Sequence, residues 1–283
     1  MSRFKKYLFK YYYIGYEKFY GSQRQKEYST IEDTIIRALK SKNYLDNAKS
    51  SEFQSASRTD RFVSAKSATF SLKTEKTPIL MEINSIFPKE IGIWAYCEVS
   101  NAFNARYDAI QRHYKYIVSY PLHYLQKKNK FDLGIIKTAC KHLQGTHDFQ
   151  NFSKRDKSYK DTIRTLDSIQ FQIIDDSLLI FDFKSQGFLR QQIRRTVKKL
   201  LELGKGEISY QEFKNLLDPS EFISYQPATP FGLILWDIKY PQDIIFKLDP
   251  KSVKRMKKYF LEMKFDFWLK SKLFRVLEQD NFS

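Results

Sequence analysis

The segment Ser55-Ala56-Ser57-Arg58-Thr59-Asp60-Arg61-Phe62-Val63-Ser64-Ala65 sets one carboxylate between two arginines. It is polar and falls between apolar-periodic stretches. Arg58 and Asp60 are two residues apart, so in an extended segment their side chains point the same way. A neighbouring guanidinium favours the ionised carboxylate, which suits Asp60 to act as a nucleophile or a base. An ordinary surface loop with a weak ion pair accounts for the same residues. Tyr114 and Tyr116 share one face of an alternating run and can form an aromatic platform or simply pack a sheet. Arg190, Arg194 and Lys198 recur at i, i+4 and i+8, a basic stripe if the segment is helical. His147 and Asp148 do not read as a dyad, because adjacent residues diverge in a helix and in a strand alike. Thr146 or Asp148 is the better candidate for an N-cap. His113, His123 and His142 show no metal-ligand spacing.

Several elements must position these groups. Phe4 to Ile14 is strand-like, and Ser29 with Glu32 predicts a capping box for a helix carrying Ile31, Ile35, Ala38 and Leu39 inward. Ala65 to Leu72 alternates as a strand. Ile79 to Ile86 predicts a short helix stopped by Pro88, and Ile91 to Val99 another strand. In the second half a strand carries Tyr114, Tyr116 and Val118, and Leu133 to Leu143 is helical. Ile169 to Ile173 and Leu179 to Phe183 alternate around Asp175-Asp176-Ser177, which predicts a hairpin. Leu189 to Leu203 is helical, with Leu189, Ile193, Val197, Leu200 and Leu201 inward, and Phe231 to Ile238 is a last strand. Each half therefore reads as an α+β unit. A basic, amphipathic helical tail follows Asp249.

Composition narrows the classes. The chain has 283 residues with 49 Lys+Arg against 32 Asp+Glu, a formal net charge of +17. Such a surplus favours a polyanion, nucleic acid first and an anionic membrane surface second. Basic residues are scattered through both halves (Lys5, Lys10, Lys40, Lys66, Lys154, Arg155), which fits a long footprint with steep salt dependence. Aromatic residues at 16% argue against disorder. Cys97 and Cys140 have no paired spacing, so neither a disulfide scaffold nor a cysteine zinc cluster is expected, and both read as buried thiols. No apolar run reaches membrane-spanning length, and the first residues lack a signal-peptide core. A cytoplasmic globular protein is expected.

Six ordered motifs resemble the TruA family of tRNA pseudouridine synthases. The Arg58-Thr59-Asp60 segment is similar to the family's Gly-Arg-Thr-Asp-x-Gly-Val-His/Ser-Ala. Gly21-Ser22-Gln23-Arg24-Gln25 resembles Gly-Trp-Gln-x-Gln. Ile83-Asn84-Ser85-Ile86-Phe87-Pro88-Lys89-Glu90-Ile91 resembles Leu-Asn-x-x-Leu-Pro-x-x-Ile. Phe103-Asn104-Ala105-Arg106 with Arg112-His113-Tyr114-Lys115-Tyr116 resembles Phe-x-Ala-Arg…Arg-x-Tyr-x-Tyr. Gly145-Thr146-His147-Asp148-Phe149-Gln150-Asn151-Phe152 resembles Gly-x-His-Asp-Phe-x-x-Phe. Phe188-Leu189-Arg190-Gln191-Gln192-Ile193-Arg194 resembles Phe-Leu-x-x-x-Val-Arg. Ser57 and Phe62 stand where the family has glycine, Ser22 where it has tryptophan, and Ser64 resembles the archaeal and eukaryote-like branch.

The resemblance implies the pseudouridine synthase fold, an α+β fold of two subdomains joining a mostly antiparallel sheet around a central basic cleft. The expected division is residues 1–105 with the Asp60 loop, 106–245, and a basic helical extension over 246–283. It implies conversion of uridine to pseudouridine in the tRNA anticodon stem–loop, at positions 38 to 40, with no cofactor and no metal. Asp60 becomes the nucleophile or base, Tyr114 stacks on the uracil and takes or relays its C5 proton, and Arg194 pairs with Asp60 while Arg58 flanks it. Tyr116, Arg106, Arg112, Gln23, His147 and Arg190 are expected to contact RNA. Bacterial members form homodimers, so a homodimer is carried over as an expectation. Two rivals remain: a non-catalytic tRNA-binding protein or chaperone on the same scaffold, and a membrane-surface protein using its basic tail.

Overall fold

The computed structural model describes residues 4–118, 120–128, 131–156, 160–175 and 177–279. In chain order the elements are β1 (Lys5–Tyr13), α1 (Ile31–Ser41), β2 (Gln54–Ser55), β3 (Ser64–Thr74), α2 (Leu80–Asn84), β4 (Ile91–Val99) and β5 (Gln111–Ile117). Then follow α3 (Leu122–Lys128), α4 (Leu133–Leu143), β6 (Gly145–Asp148), β7 (Ile163–Ile174), β8 (Leu178–Ser185) and α5 (Gln192–Gly204). The chain closes with α6 (Tyr210–Asn215), β9 (Leu233–Lys239), β10 (Lys247–Leu248) and α7 (Pro250–Glu278). Asp176, expected in the β7–β8 turn, lies outside the described residues, as do both ends of the chain beyond 4 and 279.

All ten strands join one sheet, ordered β10-β4-β1-β3-β9-β5-β8-β7-β6, with β2 beside β3. Its one parallel pairing is β3 with β9, where Ser64 lies opposite Ile234 and Ala65 opposite Leu235. That short contact joins the two antiparallel halves. Polar side chains reinforce it: Lys10 Nζ lies 2.7 Å from Asp237 Oδ1, and the Ser67 hydroxyl donates to the same oxygen at 2.8 Å. The Tyr240 hydroxyl donates to the Ala105 carbonyl at 2.7 Å and meets the Thr69 hydroxyl at 2.6 Å. The apolar core runs unbroken across this junction, from Phe9 and Phe70 to Phe181 and Phe183.

Alternation explains the strands, and capping places the helices. The cap of α1 is Thr30, one residue beyond the expected Ser29; its hydroxyl accepts from the Asp33 amide at 3.2 Å. Thr30-x-x-Asp33 offers the same signal one step later, and Glu32 instead accepts from the Arg24 amide at 3.3 Å. Helix α5 begins at Gln192, not Leu189, because Gln191 takes a left-handed backbone with φ 61°. Arg190 therefore precedes the helix and leaves the basic stripe. Cys97 and Cys140 are buried and free, and burial pushes their thiols up to about 11 and about 12.

On β5, His113 Nε2 lies 2.6 Å from Asp182 Oδ1, and Lys115 Nζ lies 2.7 Å from the same oxygen. Lys115 already neutralises that carboxylate, so burial prevails and holds His113 below its ordinary 6.5. The unfolded chain then binds the proton more readily, and stability is lost as pH falls below about 6.5. Thermal unfolding from pH 7.5 to 5 should show this loss, and His113→Gln should flatten it. An equal slope in the variant would assign the effect elsewhere.

Candidate active site

The Asp60 loop ends where β3 begins, at the sheet's one parallel junction. Ala65 faces Leu235 on β9, and Leu235 in turn faces Tyr114 on β5. Strands about 4.8 Å apart thus bring the loop and Tyr114 into one neighbourhood. The β5–β9 register shifts between His113 and Tyr114, a bulge that re-aims the tyrosine.

Asp60 is gripped from a distance of 134 residues in sequence: Arg194 Nη1 donates to its Oδ2 at 2.7 Å. Asp60 keeps about a third of its side chain exposed, whereas Arg194 is nearly buried. Arg194 Nε donates to the Ala228 carbonyl at 2.8 Å, and the Ala228 amide donates back to the Arg194 carbonyl at 3.1 Å. One guanidinium therefore ties α5 to the Asp60 loop and to the chain entering β9. Arg58 is exposed and makes no ion pair with Asp60. Arg61 turns away, its guanidinium 3.9 Å from the Tyr20 ring centre and 4.6 Å from that of Phe62.

Residues without an obvious chemical signature hold the loop. The Tyr13 hydroxyl meets the Thr59 hydroxyl at 2.6 Å. Ser22, in the family's tryptophan position, accepts from the Thr59 amide at 2.8 Å through its hydroxyl and donates its own amide to the Thr59 carbonyl at 3.2 Å. Gly21 has φ 89°, and a Cβ there would lie 3.0 Å from the Thr59 oxygen. At Gly15 a Cβ would lie 2.3 Å from the Phe62 carbonyl carbon. Both glycines let the first loop close onto the second.

Phe62 keeps a left-handed backbone, φ 69°, without being glycine. Its ring stacks on Phe231, centroids 4.5 Å apart, which offsets a backbone penalty of about 1–2 kcal/mol. Phe62→Gly should retain the loop and most activity, because it relieves the backbone as it loses the stack. Phe62→Val should lose about 1–2 kcal/mol of stability, since a β-branched residue is worst there. Paired denaturant curves test this, and equal stability of the two variants would remove the argument. Ser57, at the family's other glycine position, has no positive φ. Its hydroxyl accepts from Arg112 Nε at 3.1 Å.

The remaining candidates divide by burial. Tyr114 is buried and packs edge-on to Phe188, centroids 5.3 Å apart. Burial raises its phenol above 10, with the Asp60 charge adding to this and Arg112 and Ser57 opposing it, so it stays protonated at neutral pH. Tyr116 is only 1% exposed and its hydroxyl donates to the Thr229 carbonyl at 2.9 Å, so its place is the core and not a base platform. Arg112 is a brace: it donates to the carbonyls of Ala56 at 2.9 Å, Arg106 at 2.7 Å and Gln186. Gln23 and Arg106 lie on exposed loops. Arg190 is half exposed, 3.9 Å from Asp156. His147 sits on β6, three strands from β5, with Nε2 3.0 Å from the Gln144 carbonyl. Asp148 accepts from the Gln150 amide at 2.9 Å, the capping role expected of it or Thr146.

A mixed α/β molecule on one large, mostly antiparallel sheet is the fold of the pseudouridine synthases. A family described as tRNA pseudouridine synthase matches residues 139–241. The tRNA pseudouridine synthase A of Methanothermobacter thermautotrophicus is 34% identical over 243 residues, 86% of this chain and 84% of its own length. That of Methanosarcina acetivorans is 34% identical over 86% of this chain and 87% of its own. That of Archaeoglobus fulgidus is 31% identical over 89% of both. The chain belongs to the tRNA pseudouridine synthase A family, and it is an enzyme of that class, an isomerase.

Proposed function

We propose that the chain isomerises uridine in the anticodon stem–loop of tRNA, without a cofactor, and does so as a homodimer. The Asp60–Arg194 pair beside Tyr114 carries this reading. The reaction breaks the N1–C1′ bond, turns the base and joins C5 to C1′. Product and substrate have the same formula, so the chemistry consumes no oxidant and no activated group. It needs a carboxylate near C1′ and a pocket that holds the loosened base.

Asp60 is the nucleophile or base. Arg194 aims it and keeps it charged, because a guanidinium cannot give up its proton near neutral pH. The uridine leaves the stack to reach it, and the Tyr114 ring with the Phe188 edge offsets the lost stacking, worth about 1–3 kcal/mol per base. The protonated Tyr114 hydroxyl relays the C5 proton; it accepts one only as it passes its own on. Arg58, Arg106 and Gln23, all exposed, are placed to meet RNA, with Arg190 nearby in sequence to Arg194 and His147 farther out along the sheet. A net charge of +17 supports a footprint much wider than one nucleotide.

Tyr114→Phe should preserve tRNA affinity and lower turnover about 10- to 100-fold, in the range of lost proton-transfer assistance. Single-turnover kinetics would measure it, and unchanged turnover removes the hydroxyl from the mechanism. The site of action is tested by carbodiimide-probed primer extension on an unmodified tRNA transcript. A new stop in the anticodon arm supports the proposal, and a stop confined to another arm refutes the assigned position.

A further inference from the structure

Helix α7 runs for 29 residues, but only its first half rests on the protein. Met256 and Tyr259 pack on Tyr12, and Arg255 Nη1 donates to the Tyr12 hydroxyl and the Ile91 carbonyl, each at 3.1 Å. The last tie is the Tyr16 hydroxyl on Met263 Sδ at 3.5 Å. Residues 264–278 then extend about 22 Å, and among the described residues none of their side chains has a hydrogen bond or ion pair to the body.

That free half is apolar where a solvated helix is polar. Phe267, Phe274 and Leu277 continue the stripe on which Phe260 and Met263 dock, and each is more than half exposed. Phe265, Trp268 and Val276 form a second exposed stripe on the other side. A helix apolar on two sides is one that other protein covers.

We infer that the free half of α7 pairs antiparallel with the same segment of a second copy, about a two-fold axis at Ser271. This inference gives the homodimer of the preceding reading a surface and does not depend on the catalytic assignment. Phe260, Met263, Phe267, Lys270, Phe274 and Leu277 follow the 3-4-3-4-3 spacing of a heptad seam. The flank of that seam carries Lys264, Ser271 and Glu278, seven residues apart. Reversing the helix about Ser271 brings Lys264 of each copy opposite Glu278 of the other, Phe265 opposite Leu277, and Leu269 opposite Leu273. The residue on the axis is small, so the backbones can approach. A parallel pairing would set Lys264 beside Lys264 and Glu278 beside Glu278. The self-complementarity is that of an isologous interface.

Sedimentation equilibrium of the full chain over a range of concentrations tests this directly. The expected mass is twice 33.8 kDa, falling on dilution because the seam is short. Phe267→Glu with Phe274→Glu should give a monomer with unchanged thermal unfolding, since neither ring touches its own body. Lys264→Glu and Glu278→Lys should each weaken association about fivefold through two symmetric pairs, and the combined variant should restore it. Three results overturn the inference: a monomeric wild type, a dimer indifferent to the Phe267/Phe274 change, or no rescue in the charge swap. A monomer that sediments with anionic vesicles would assign the helix to lipid, and a dimer indifferent to these changes would leave the homodimer standing on another surface. Isomerisation of a tRNA transcript, followed in parallel, separates either failure from failure of the catalytic reading.

Discussion

Asp60→Ala is expected to abolish pseudouridine formation, by about 10⁴-fold or more, while tRNA affinity changes by less than a few-fold. The carboxylate is one charge within a surface of net +17, so removing it does not weaken attraction to a polyanion. Asp60 is also not a pillar of the fold. Its loop is held by Thr59 through Tyr13 and Ser22, and by Phe62 on Phe231. Filter binding with single-turnover kinetics separates the two effects. A parallel collapse of binding and turnover would make Asp60 a structural residue.

Arg194→Met is the second large effect. The change keeps the volume but removes the Asp60 partner and the bond to the Ala228 carbonyl together. Turnover should fall about 10²–10³-fold, with KM nearly unchanged, because the carboxylate loses its aim rather than its affinity for RNA. Stability should fall by about 1.5–3 kcal/mol, the usual contribution of hydrogen bonds to a charged group. Arg194→Lys should recover only part of the turnover, since one ammonium on a flexible stem cannot reproduce the planar fork. Asp60→Ala combined with Arg194→Met should be no slower than Asp60→Ala alone. Additive losses would mean that the two side chains act separately.

The alternating strands were legible because each carries one apolar face: Ile91 to Val99 matches β4 residue for residue, and Leu133 to Leu143 matches α4. The Asp60 loop was legible by its residue types. Its partner was less so: charge proximity in sequence points to Arg58, but folding puts Arg194 on Asp60 and leaves Arg58 in solvent. Only the family resemblance identified that pair, since the sheet junction that creates it leaves no local pattern. Period-2 spacing placed Tyr114 and Tyr116 on one face, yet it does not report that Thr229 and the β9 entry cover Tyr116. Strand β6 and helix α6 were missed. The Ser209-x-x-Glu212 capping box announces α6, whereas β6 is four residues long and has no alternation to read.

The central claim is that this chain catalyses the isomerisation and that Asp60 performs it. Forming the C5–C1′ bond expels the hydrogen at C5, so release of tritium from a transcript made with 5-tritiated uridine counts turnovers directly. The wild-type protein should release tritium from many transcripts per active site, and Asp60→Ala should release none above background. Salt-sensitive tRNA binding without release by the wild type would contradict the account and favour a binding protein on the same scaffold. Equal release by Asp60→Ala would move the catalytic carboxylate elsewhere.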